Sequence, residues 1–182
     1  GATVHYGELV VCTKMVSYRR ISESTGALLG TEPLDLPERR YETCGIWITM
    51  GPGIAREHGS DATAFLGGLH AIEHSLISMA PLFAMCDPLD LAGASQLGSE
   101  GQPAVFIHDA YPGGVGIAEA LYDRAEALMD AAHGTIAGCP CTAGCPSCVQ
   151  SPFCGSNNQP MDKAVARAIL GALLESSGRA PV

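Results

Sequence analysis

The sequence is short of charge, of aromatic rings and of basic residues, and each shortage narrows what the chain does. Charged residues make up 16% and aromatics 5%, with a single Trp. That low charge beside 47% hydrophobic content excludes a self-repelling disordered chain, and 182 residues suffice for one packed domain. Lys and Arg number 10 against 19 acidic residues, a net charge of −9. Such a surface repels phosphate, so a free-standing nucleic-acid binder is not expected. No G-x-x-x-x-G-K-[ST] loop occurs anywhere, which excludes a P-loop ATP-binding motor. The longest apolar region, residues 64–86, is broken by His70, Glu73 and His74, so no membrane span is expected. A signal-peptide pattern and an initiator Met are both missing. The chain therefore reads as a piece cut from a longer cytoplasmic protein.

What is present in quantity is glycine (22), proline (12) and cysteine (8). Residues 4–21 are β-like, rich in Val, Tyr, Thr and Met, and residues 22–38 form a turn-rich stretch. Residues 41–50 alternate, with Cys44, Ile46, Ile48 and Met50 on one face, and pair with the first segment as antiparallel strands. Ser60-Asp61 opens a long amphipathic helix through Phe65, Leu69, Ile72, Leu76, Met79 and Phe83. A polar loop (87–100), a short buried strand (104–108), a glycine turn (109–114) and a helix (117–132) follow. Asp162 caps a last helix with Val165, Ile169, Leu170, Leu173 and Leu174 on its apolar side. Strands first and helices afterwards give an α+β fold, antiparallel strands packed with several helices.

Five of the eight cysteines crowd into residues 139–154, while Cys12, Cys44 and Cys86 are scattered. Crowding of this kind suits a metal in a reducing compartment better than a disulfide framework. Cys145 and Cys148 form a C-x-x-C knuckle, whose two thiolates converge on one tetrahedral ion. Cys154-Gly155 fits a second knuckle, and the fourth ligand is Cys139 or Cys141. Ligands at i and i+2 are unusual in a structural site, so four of the five cysteines are expected, with Cys139 the spare. One structural Zn2+ is the expected cofactor; an iron–sulfur cluster or buried thiols are the alternatives. A closed four-sulfur site leaves no position for substrate, so it staples a loop and performs no catalysis.

The stretch Cys139-Pro140-Cys141 … Gly144-Cys145-Pro146-Ser147-Cys148-Val149-Gln150-Ser151-Pro152-Phe153-Cys154-Gly155 … Asn158 … Met161-Asp162-Lys163 resembles the signature of the MrfA-type zinc-binding domain. Weaker similarity extends through residues 70–74, 86–90 and 109–116 to the N-terminal strands. The resemblance implies one domain over residues 1–182, with a zinc knuckle at 139–155 before the C-terminal helix. It implies an accessory domain of a DEAD/DEAH-box, superfamily-two DNA helicase linked to repair of crosslinked or mitomycin-damaged DNA. The chain would not be an enzyme by itself. Its partners would be helicase core domains in the same polypeptide and, through that ATP-binding, ATP-hydrolysing parent, DNA; no membrane is involved.

Three further groups carry chemistry. His70-Ala71-Ile72-Glu73-His74 spells H-x-x-E-H, a pattern of zinc hydrolases with two histidines one helical turn apart and Glu73 as base. A third ligand would come from Asp87, Asp90, Asp109 or Glu119; the plainer reading is hydrogen bonding that fixes the core. Gly113 and Gly114 lead into a helix, where free N–H groups would bind a DNA phosphate unless the turn is simply tight. Lys14, Arg19, Arg20, Arg39 and Arg40 are half of the basic residues and, if their strands pair, put four arginines beside Tyr18 and Tyr41. That patch would touch DNA backbone or stack on bases, or else be a solvated strand edge. The rival functions are a zinc-dependent hydrolase on His70, Glu73 and His74, and a pure protein-interaction module.

Overall fold

The computed structural model describes residues 2–97 and 102–176. The first β-like stretch breaks into two strands, β1 (Ala2–Thr13) and β2 (Ser17–Ile21). The turn-rich stretch contains a third, β3 (Leu28–Pro33), which pairs with β2 as a separate two-stranded sheet. β4 (Arg39–Met50) pairs with β1 along its whole length, Ala2 opposite Met50 and Thr13 opposite Arg39. Alternation in β4 buries Ile46, Ile48 and Met50, as the pattern predicts.

α1 (Pro52–His58), unforeseen, follows at once with Pro52 at its first position, where a missing N–H costs nothing. α2 (Ala62–Met79) is the long amphipathic helix, and the Asp61 carboxylate accepts from the N–H of Thr63 and Ala64 at 2.8 and 3.1 Å. Pro81 lies in the 3-10 turn that ends it. The expected polar loop is instead a 3-10 turn and a strand, β5 (Leu91–Leu97); residues 98–100 of that expectation lie outside the described residues. β5 escapes sequence detection because its residues are Leu, Ala, Gly, Ser and Gln, none β-branched or aromatic; pairing with β6 (Pro103–Asp109) creates it. The main sheet is antiparallel in the order β1-β4-β6-β5.

The helix expected over 117–132 is two, α3 (Ile117–Tyr122) and α4 (Ala125–Gly138), and α5 (Lys163–Ser176) closes the described chain. One sheet face carries Ile46, Ile48, Val105 and Ile107 against Leu69, Ile72 and Leu76 of α2, all of them 2% exposed or less. On the far side of α2, Ile169, Leu170 and Leu174 of α5 and Leu128 and Ile136 of α4 complete the same core. Each such side chain contributes roughly 1.5–3 kcal/mol on burial. The α+β architecture expected from the order of elements is the one observed.

α5 meets α2 at Gly67 and Gly68. A Cβ at Gly67 would lie 3.0 Å from the Asp162 backbone N, and one at Gly68 would lie 2.5 Å from the Val165 side chain. This close crossing seats the segment between α4 and α5, which carries the cysteines, beside α2, which carries the histidines.

Candidate metal centre

The cysteine segment has little apolar content with which to fold. Only Cys148 and Val149 of residues 139–154 are buried. Four sulfurs nevertheless converge: Cys139 Sγ lies 3.6 Å from Cys141 Sγ and 3.5 Å from Cys145 Sγ, and Cys148 Sγ lies 3.5 Å from Cys141 Sγ and 3.8 Å from Cys145 Sγ. All four lie within 4.8 Å of one another. A tetrahedron with zinc–sulfur bonds of about 2.3 Å has edges of about 3.8 Å, so the four sulfurs already outline one. The N–H groups of Cys148, Val149 and Gln150 all point to the Cys145 carbonyl, which forms the tight knuckle turn.

The fifth cysteine stands elsewhere. Cys154 Sγ lies 3.4 Å from His70 Nε2 and receives the N–H of Asn158 at 3.3 Å. Cys139, expected as the spare, stands inside the four-sulfur group, and Cys154, expected as a ligand beside Cys145 and Cys148, stands outside it. An extended backbone places side chains at i and i+2 on the same side of the chain. Here the extended C-cap of α4 at Cys139 turns into the loop at Cys141, and both sulfurs swing to one side.

Lys163 is a component that the sequence reading missed. A cation in the first turn of a helix opposes the helix dipole, and Lys163 is the first residue of α5 and buried. Its ammonium donates to the carbonyls of Cys139 at 2.7 Å and Cys141 at 2.6 Å, and to Cys141 Sγ at 3.3 Å. It ties the helix to the knuckle and offsets part of the excess negative charge of four thiolates. Its misplaced charge, directly after the capping Asp162, was the available signal.

Crowding pulls the acidities of neighbouring thiols apart. Burial alone would raise the Cys141 thiol, but hydrogen bonds from Cys148, Cys139, Lys163 and Cys145 prevail and bring it down to about 6. Burial pushes Cys148 up to about 12. Sulfurs this close share protons unevenly, and a divalent ion between them lets all four ionise.

The His70–Glu73–His74 group lies on the buried side of α2. His70 Nδ1 lies 2.8 Å from the Pro160 carbonyl and His74 Nδ1 lies 2.9 Å from the Val149 carbonyl. Burial holds His74 below the usual histidine range and Glu73 above the usual carboxylate range; the Ser95 hydroxyl partly opposes the latter. Three of the four acidic residues considered as third ligands are engaged elsewhere, and the fourth, Glu119, lies on α3. Asp87 and Asp90 cap their own 3-10 turn. The fully buried Asp109 carboxylate accepts from the N–H of Val115, Gly116, Ile117 and Ala118 at 2.6–3.3 Å.

That same carboxylate changes the reading of the glycine turn. The Gly113 N–H goes to the Glu42 carbonyl, the Gly114 N–H goes to the Tyr111 carbonyl, and the next four go to Asp109. An internal anion already fills the position a DNA phosphate would take. Gly114, at φ +73°, also packs on Cys44, from which a Cβ at this position would lie 3.1 Å.

The arginines separate. Arg19 and Arg20 lie on β2 opposite Thr31 and Gly30, whereas Arg39 and Arg40 begin β4 opposite Thr13 and Cys12. The two pairs therefore belong to different sheets, because the first β-like stretch breaks before residue 17. Arg20 pairs with Glu32 at 3.3 Å, and Arg39 sits 5.3 Å over the Tyr41 ring. All four are exposed. Among the described residues, no helix is long and apolar enough to cross a membrane.

With this geometry in hand, comparison with known proteins gives a consistent set. The family model of the MrfA Zn-binding domain matches residues 72–149. The ATP-dependent helicase YprA of Bacillus subtilis is 32% identical over 152 residues, 81% of this chain and 20% of the relative. The protein MJ1572.1 of Methanocaldococcus jannaschii is 37% identical over 111 residues, 58% of this chain and 99% of its own length. A crystal structure of the helicase MrfA bound to DNA superposes with a TM-score of 0.61 at 28% identity, covering 97% of this chain and 22% of that one. The chain thus spans about a fifth of the length of the helicases it matches.

Proposed function

The chain belongs to the family of MrfA Zn-binding domains, and from that premise we propose that it serves as a zinc-stapled accessory domain of an ATP-dependent DNA helicase acting in DNA repair. The observation that carries this reading is the likeness, over 97% of the chain, to a helicase bound to DNA. No P-loop occurs in these residues, so ATP hydrolysis and strand separation belong to a motor, and this domain completes the motor's DNA path. Residues 1–182 act as one unit, with the knuckle at 139–155. One structural zinc sits on Cys139, Cys141, Cys145 and Cys148, the set supported by the sulfur spacing. Arg19, Arg20, Arg39 and Arg40 are the candidate contacts to the DNA backbone, as two separate pairs. A net charge of −9 makes DNA binding by the isolated chain weak, and the contact becomes productive only beside a basic motor.

The experiment is done in the parent helicase. Replacing Cys145 and Cys148 together with Ser should release one zinc and abolish unwinding, while the motor still binds ATP. Wild-type unwinding in a zinc-depleted double variant would refute the accessory role. A second reading, a module working apart from any motor in the same chain, is favoured by one observation. The Methanocaldococcus relative aligns over 99% of its length, which leaves no room for a motor. Sequencing the frame around these residues separates the two readings.

A further inference from the structure

The side chains of His70, His74 and Cys154 meet at the end of a cleft of about 310 Å³, lined also by Glu73, Leu91 and Ser151. Both carbonyls that face the imidazoles accept hydrogen bonds and cannot donate them, so Nδ1 of each ring carries its proton. Nε2 of each ring is therefore the nitrogen with a free lone pair. A carbonyl that holds the far ring nitrogen in this way fixes the tautomer and orients a histidine toward a metal. The rings are 4.3 Å apart between centroids, and the ligand atoms of the three residues lie within 4.8 Å of one another. His70 Nε2 to Cys154 Sγ, at 3.4 Å, compares with about 3.6 Å for the nitrogen–sulfur edge of a tetrahedral zinc site. Cys154 Sγ accepts from the Asn158 N–H at 3.3 Å and lies 3.2 Å from the Ser156 hydroxyl. Asn158 holds that loop closed: its carbonyl accepts from the Ser151 N–H at 2.8 Å, and its amide donates to the Ser151 carbonyl at 3.0 Å.

We propose that His70, His74 and Cys154 form a second metal site, separate from the four-sulfur cluster, that takes a borderline-soft divalent ion of the zinc type. Two imidazoles and one thiolate select zinc over magnesium or calcium, which require oxygen ligands. The fourth position opens into the cleft and takes water, so this site is open where the four-sulfur site is closed. The ion ties α2 to the loop that leads into α5, across more than eighty residues of chain. The inference rests on neither the helicase role nor the ligands of the first zinc.

The test is a metal count on the whole chain, loaded with Zn2+ and dialysed, with each variant's fold followed by circular dichroism. The wild type should hold two zinc ions. Cys154→Ser should hold one, and His70→Gln should also hold one. Cys145→Ser with Cys148→Ser should lose the other ion, so failure of the knuckle assignment and failure of this one are read separately. Co2+ in place of zinc should give, in the knuckle double variant, a thiolate charge-transfer band that disappears when Cys154→Ser is added to it. A wild type that holds a single zinc, or a folded Cys154→Ser that keeps two, would overturn the proposal. Should a variant not fold, the wild-type count decides by itself.

Discussion

The two groups of metal-binding side chains differ in how their members come together. Cys139, Cys141, Cys145 and Cys148 lie within ten residues, in a segment that buries little and depends on its own turns. His70, His74 and Cys154 come from a helix inside the core and from a loop some eighty residues later. The first is held by an ion that the segment needs in order to fold. The second is held by the fold, since α2 and its histidines are fixed by apolar packing and by two backbone carbonyls. Folding energy thus flows from metal to chain at one group and from chain to metal at the other.

The largest effect should come from breaking the local group. Cys145→Ser with Cys148→Ser should unfold residues 139–148 and lower stability by several kcal/mol, since apparent binding energies of structural zinc reach about 10–16 kcal/mol in isolated fingers. Hydrogen exchange should show protection lost in the knuckle and at the start of α5 but kept in β4 and β6. Uniform loss across the sheet would mean that the core, too, depends on the ion.

Next comes the residue that joins knuckle to helix. Lys163→Met leaves two carbonyls without their charged donor, a cost of about 1.5–3 kcal/mol. It should weaken zinc retention roughly 10- to 100-fold, the range for outer-shell partners, measurable by competition with a chelator. Unchanged retention would reduce Lys163 to a packing role.

The crossing that brings the two groups side by side comes third. Gly68→Ala puts a Cβ 2.5 Å from the Val165 side chain and should cost about 1–3 kcal/mol in thermal or denaturant unfolding. A neutral result would mean that α5 shifts freely on α2.

A contact that involves no member of either group should give the smallest effect. Tyr111→Phe removes the hydroxyl that donates to Asp90 at 2.7 Å, an exposed contact, so little stability is lost. The Asp87 N–H and the Tyr111 hydroxyl hold Asp90 below the usual carboxylate range. Their contribution is therefore present above the unfolded value of about 3.9 and is lost as pH falls through the lower folded value. Any difference between wild type and Tyr111→Phe should vanish in acid, and a difference that grows there would contradict this sign.

The same contrast governs what the sequence allowed one to read. The C-x-x-C at Cys145 and Cys148 is local, so its chemistry was legible, as were the periodicities of α2, β4 and α5. The sequence left the fourth ligand open between Cys139 and Cys141, whereas the place of Cys139 depends on how the backbone leaves α4 and that of Cys154 on where α2 lies. Both are tertiary facts, which spacing alone does not carry. β5 was hidden for a related reason: its strand character comes from pairing with β6 and not from its own residues. The break between β1 and β2 sent Arg19 and Arg20 to a sheet other than that of Arg39 and Arg40, which periodicity could not reveal. Asp109, offered by the sequence as a possible third ligand, receives four N–H groups that only the folded turn brings to it.

The central claim is that one zinc holds Cys139, Cys141, Cys145 and Cys148 together. The most direct measurement is cysteine alkylation followed residue by residue by mass spectrometry, with zinc bound and after its removal by a chelator. The account predicts that these four thiols are protected together and become reactive together, while the exposed Cys12 reacts equally in both states. A Cys139 that reacts at the same rate with and without zinc, while the other three change, would contradict it.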